Sequence, residues 1–226
     1  MKPQHLSIAD HEAVTVAVAE AERHTSGEIV AIVAAQSNDY DDIALVWASV
    51  IAFLAMSAIA LFPEFYRGLY DRLTGGWGYE LTANQWLGTV IAVGVLKWIG
   101  IWLILLWRPL RRALTPRAIK AQRVRTRAID LFKVGTEART MGRTGVLLYL
   151  SLTEHRADIV ADEAIAARVA PDIWGEAMAA LIERVCAGLP GEGMAEAVRQ
   201  IGIVLAEHFP RGDDNPNELP DRLIEI

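Results

Sequence analysis

Three kinds of side chain in this sequence are suited to chemistry: clustered carboxylates, scattered histidines with one cysteine, and a charge set in an apolar run. Asp158, Asp162 and Glu163 fall where the alternating run Arg156 to Ala161 gives way to a helical stretch. Carboxylates that converge in space can hold calcium or another hard divalent cation, which prefers oxygen ligands. Asp162 serves equally well as the cap of the following helix. In the tail, Asp213, Asn215 and Asn217 alternate oxygen-bearing side chains as a calcium loop does. Glu218 nevertheless stands where such a loop needs glycine, and Ile224 where it needs a bidentate glutamate, so a solvated turn accounts for the segment too. Histidine is the side chain for acid–base work near neutral pH, and His155 and His208 are the candidates. His208, at a predicted helix C-terminus, is also placed to be stabilised by the helix dipole. Arg143, ahead of a predicted strand, can bind an anion or pair with a carboxylate. Cys186 is the single cysteine, so no intramolecular disulfide can form. Its neighbours Ile182, Val185 and Leu189 predict a small buried apolar residue with no base beside it. No HExxH, phosphate-loop, GxGxxG or nucleophile-elbow pattern occurs.

These residues are spread around two apolar stretches, Ile43 to Pro63 and Trp86 to Trp107. The first has no charged residue, and at about 1.5 Å per residue it is roughly 31 Å long, the thickness of a bilayer's hydrocarbon core. The second carries one charge, Lys97. A lysine at mid-bilayer costs on the order of 2.5 to 3.5 kcal/mol, so Lys97 either snorkels or faces a carboxylate or headgroup through a partner. Two membrane-spanning helices are predicted, about 43–63 and 86–107. No basic start followed by an apolar core marks a cleaved signal peptide, which leaves targeting to the first span. Arg108, Arg111, Arg112, Arg117, Lys120, Arg123, Arg125 and Arg127 follow the second span with no acid among them. That excess places this end, and with an even number of spans the N-terminus too, on the cytoplasmic side of the inner membrane. The bases suit anionic lipid headgroups. A net charge of −6, and the lack of interleaved aromatics along the basic run, argue against nucleic acid.

The remaining residues, 1–42 and 108–226, suit one discontinuous domain interrupted by a hairpin at 43–107. Ser7, with Asp10 three residues on, predicts a capped helix carrying Val14, Ala17, Val18 and Ala21 on one face. Glu28 to Ala35 and Thr144 to Ser151 read as strands buried on both faces, and Arg156 to Ala161 as a third joined by a turn at Thr153 to His155. Thr115-Pro116 predicts a helix start, with Ala118, Ala121, Ile129 and Phe132 inward. Later helices run from Asp162 to about Ala170, from Asp172, and from Glu192 to Phe209, and a short apolar element ends the chain. The aromatics between the spans, Tyr66, Tyr70, Trp77, Tyr79 and Trp86, suit a headgroup belt. The expected fold class is α/β, a small mixed sheet flanked by helices and interrupted by a two-helix transmembrane hairpin.

Several short patterns, in order, resemble the TPM domain, in its bacterial membrane branch. They are Thr25 to Val30, Arg143 to Leu148 leading into Ser151-Leu152, Asp158 to Glu163, and the end His208-Phe209-Pro210 with Asn217 to Pro220. The resemblance implies a compact α/β sandwich. It implies either an auxiliary role beside other membrane proteins, as for a nematode receptor-associated member, or the acid phosphatase activity and divalent-metal binding attributed to some plant members. On the residues here, phosphoester hydrolysis would use Asp158, Asp162 or Glu163 to hold the cation that activates water. The expected function is a non-catalytic, membrane-anchored interaction or assembly module for another membrane protein or for a second copy. A divalent-metal-dependent phosphatase is the alternative.

Overall fold

The computed structural model describes residues 6–73, 82–135, 144–212 and 222–226. The chain divides into two compact units, Met1–Asn38 with Arg117–Ile226, and Asp39–Pro116.

The first unit begins with α1 (Ile8–Glu22), started by the expected capping box: the Ser7 hydroxyl accepts from Asp10 N–H, and the Asp10 side chain accepts from Ser7 N–H. β1 (Glu28–Ala34) follows, buried at every position. After the second unit come α6 (Arg117–Gly135), β2 (Gly145–Ser151) and β3 (Arg156–Ala161). A short α7 (Glu163–Ala166), a 3-10 turn at Pro171–Trp174, α8 (Gly175–Cys186), α9 (Pro190–His208) and the two-residue β4 (Ile224–Glu225) complete it. The described strands form a four-stranded mixed sheet in the order β3-β2-β1-β4. β1 runs parallel to β2 and β4, whereas β2 and β3 form an antiparallel hairpin.

The unbroken apolar runs of β1 and β2 follow from helices on both faces. Ile29, Ala31 and Val33, with Val146, Leu148 and Leu150, pack against Val14 and Val18 of α1 and Met194, Val198 and Ile201 of α9. Val30, Ile32, Ala34, Leu147 and Tyr149 pack against Val124, Ala128 and Phe132 of α6. α1 and α9 approach closely at Gly202, where a Cβ would lie 2.5 Å from the Ala21 Cβ. The helix expected from Asp162 to Ala170 is shorter: α7 ends at Ala166, a last turn closes with Val169 N–H donating to the Ile165 carbonyl at 2.8 Å, and a separate 3-10 turn starts at Pro171. Thr115 does not cap α6; its hydroxyl donates back to the Arg111 carbonyl at 2.9 Å.

The second unit holds α2 (Asp41–Leu61), α3 (Pro63–Leu73), α4 (Ala83–Leu105) and α5 (Arg108–Leu114). α2 and α4 are long and apolar enough to cross a membrane. They pack antiparallel: Trp98 donates its indole N–H to Ser49 Oγ at 3.2 Å, and Met56 fills the space over Gly94. The segment expected to be a connection holds a further helix, α3, which buries none of its residues within the unit.

Candidate functional site

The three carboxylates expected to converge are held apart. Asp158 lies on the α6 side of β3, where its carboxylate accepts from Arg125 Nη1 at 2.9 and 3.2 Å. Burial raises its pKa above the ordinary aspartate value, and the Arg125 charge partly offsets that rise. Asp162 sits four residues on, about 13 Å along an extended chain. It is 4% exposed, and its carboxylate accepts from Gly145 N–H at 2.8 Å. Its backbone carbonyl starts α7 by accepting from Ile165 and Ala166, so it caps that turn through the main chain. Glu163 points to solvent on α7. Among the described residues no group of three His, Cys, Asp or Glu side chains could hold a metal ion. Asp213, Asn217, Glu218 and Arg143 lie outside the described residues. His208 is half-buried at the end of α9, and its carbonyl accepts from Arg168 at 3.4 Å.

In the second unit, the bases after α4 meet the acids at the start of α2. Arg108 pairs with Asp39 at 3.4 Å, both side chains largely exposed. Arg111 pairs with Asp41, and here the exposures differ sharply: 5% for the arginine side chain and 77% for the aspartate. The Arg111 Nε is buried without a hydrogen-bond partner. Arg112 is half-buried on the same short helix. These pairs tie the two ends of the hairpin together. They also show what the acids at Asp39 and Asp41 do: they answer the basic residues that follow α4. Lys97 is exposed on α4 and has no acidic partner among the described residues.

Other groupings had little or no signal in the sequence. At the C-terminal ends of β1 and β2, the fully buried Tyr149 hydroxyl bonds Ser37 Oγ at 3.0 Å. The Glu154 carboxylate accepts from Ser37 N–H at 3.2 Å and from the Ser151 hydroxyl. Burial raises the Tyr149 pKa, with the Ser37 hydrogen bond working against that rise. Cys186, expected to be buried, is exposed at the end of α8, 3.9 Å from His155 Nδ1. His155 reaches it from the β2–β3 turn, in the left-handed region at φ 47°. Glu22 is buried, and its carboxylate accepts from Ile29 N–H at 2.8 Å. Finally, an open groove of about 430 Å³ lies between α6 and β3, lined by Ala121, Gln122, Arg125, Arg156, Ala157 and Asp158.

No protein-family profile matches the chain, and no curated protein does. A solved structure is similar: the NMR structure of BA42 protein from the psychrophilic bacteria Bizionia argentinensis sp. nov.. It shares 17% identity with a TM-score of 0.56, over 100% of this chain and 99% of that one. At that identity the likeness concerns the fold alone.

Proposed function

We propose that this chain is a two-pass membrane-anchored interaction module, whose α/β unit lies in the cytoplasm and helps to assemble another membrane protein. The observation that carries the reading is the exposure of α4, of whose most apolar window only 6% is buried. Leu87, Ile91, Val95, Leu96, Leu103 and Ile104 are each more than half exposed. In water each would cost on the order of 1 kcal/mol, whereas against acyl chains the cost disappears. Together with the exposed face of α2, the surface calls for a bilayer rather than a second soluble layer. The basic residues from Arg108 to Arg127 support the cytoplasmic placement.

On the chemical side, the titratable groups expected to act together are engaged in structural contacts, Asp158 with Arg125 and Asp162 with the β2 backbone. Such a unit suits binding more than turnover. The resemblance to the TPM domain, some of whose members are auxiliary to membrane receptors, accords with this. The test is purification of the full chain from native membranes in mild detergent. One membrane protein recovered in fixed ratio supports the module. A chain recovered alone, or extracted by alkaline carbonate without detergent, contradicts it.

A further inference from the structure

We propose that the outer edge of β3, with the groove beneath α6, is a docking site for an extended acidic peptide segment of a partner protein, added beside β3 as a further strand. The proposal rests on the interaction-module reading and supplies the partner's chemistry. Among the described strands β3 is the outermost, with β2 on one side of it and no strand on the other. The register settles which groups are left over. Asp162 N–H donates to Gly145 O, so the backbone groups of Val160, Asp158 and Arg156 also face β2 in the antiparallel ladder. Those of Ala157, Ile159 and Ala161 face outward, with no backbone partner in the described residues; the Ile159 N–H is turned toward the Asp158 carboxylate. An alternating row of donors and acceptors over a six-residue strand is satisfied by another strand, and not by a small anion.

Charge selects the occupant. Arg125 is shared with Asp158, but Arg156, half-buried in the groove wall, has no acidic partner among the described residues. An acidic side chain on the incoming strand would meet Arg156 beside the ladder, which fixes both polarity and register. A second copy of this chain fits less well, because its own β3 would bring another Arg156 and Arg125.

The test uses the full chain in nanodiscs and two fluorescent octapeptide probes, one of alternating Glu and Val and one of alternating Lys and Val. Fluorescence polarisation is expected to show saturable binding of the Glu/Val probe, at least about tenfold tighter than the Lys/Val probe. Arg156→Glu should reverse that preference with the melting temperature unchanged. Ala157→Pro, which removes one outward N–H at an edge position where proline is tolerated, should weaken the Glu/Val probe. Hydrogen exchange over Arg156–Ala161 should slow when the probe is bound. The proposal is overturned by no saturable binding, by equal binding of both probes, by binding without slowed exchange, or by exchange that slows with protein concentration alone, which would assign the edge to a second copy. A partner that co-purifies while the probes fail removes the groove and leaves the module; probe binding by a chain that never enters membranes does the reverse.

Discussion

Replacing Asp41 by asparagine should expose how much the hairpin depends on a single carboxylate. Arg111 is buried to within 5% of full enclosure on its side chain, its Nε already lacks a partner, and Asp41 supplies the counter-charge. Removing one partner of a fully buried pair costs about 3–5 kcal/mol, because the remaining charge is left uncompensated. Asp41 is 77% exposed, so water screens part of its attraction, and a loss of about 2 kcal/mol is expected for Asp41→Asn. Arg111→Met fills similar space without a charge and should cost less than about 1 kcal/mol, or even stabilise. The signature is therefore the sign of a double-mutant cycle: Asp41→Asn combined with Arg111→Met should be more stable than Asp41→Asn alone. Asp39→Asn provides the control, since the Arg108 pair is exposed on both sides and should be worth about 0–1 kcal/mol. Unfolding in mixed micelles, followed by tryptophan fluorescence, reads all four variants. A double variant no more stable than Asp41→Asn would refute the claim that Arg111 is a charge dependent on Asp41.

Three further outcomes are expected. Burial holds the Asp158 carboxyl above its unfolded value of 3.8, so its contribution to stability is complete below that pH and is lost as pH rises through the raised midpoint. A carbon-13 NMR titration should find that midpoint, and Arg125→Met should move it further upward, since the guanidinium pulls it down; a downward move contradicts the cause given. The buried Tyr149 phenol, raised above 10.0, should keep its proton where unfolded tyrosines lose theirs, so its contribution holds below pH 10.0 and fades as pH climbs through the raised value. An ultraviolet tyrosinate titration checks this, and Tyr149→Phe, which strands Ser37 Oγ, should cost about 1 kcal/mol. Gly202→Ala should cost about 1–3 kcal/mol in thermal melts, because the added Cβ would sit 2.5 Å from the Ala21 Cβ and force α1 from α9.

What could be read from the sequence were features set by local composition. α2 and α4 announce themselves because their apolar runs, Ile43 to Pro63 and Trp86 to Trp107, carry one charge between them, Lys97, and are long enough to cross a membrane. β1 and β2 were visible because helices cover both of their faces, which erases alternation and leaves continuous apolar runs. The Ser7–Asp10 box was legible because its two partners are three residues apart. What escaped depends on contacts across long separations. The parallel pairing of β1 with β2 joins residues more than a hundred positions apart, and the acids at Asp39 and Asp41 find their bases only when the hairpin closes. Asp158 and Asp162 share a strand face by spacing, yet the rise of an extended chain separates them and each meets a different neighbour. Cys186 was misplaced because the apolar stripe of α8 suggests an inward position, while the helix ends there and turns the thiol outward beside His155. α3 escaped because the stretch was expected to be a connection; Tyr66 and Tyr70 lie on this helix, Trp86 on α4, and Trp77 and Tyr79 outside the described residues.

The central claim is that α2 and α4 cross the bilayer and leave both parts of the α/β unit on the cytoplasmic face. Cys186, exposed and the single cysteine of the chain, makes the direct test possible. A membrane-impermeant maleimide is applied to sealed membrane vesicles of each orientation, with Glu64→Cys in a Cys186→Ser background as the companion on α3. Cys186 should be labelled only in inside-out vesicles, and the cysteine at position 64 only in right-side-out ones. Labelling of both positions from the same side would mean that the hairpin does not span the membrane, and the account would fail.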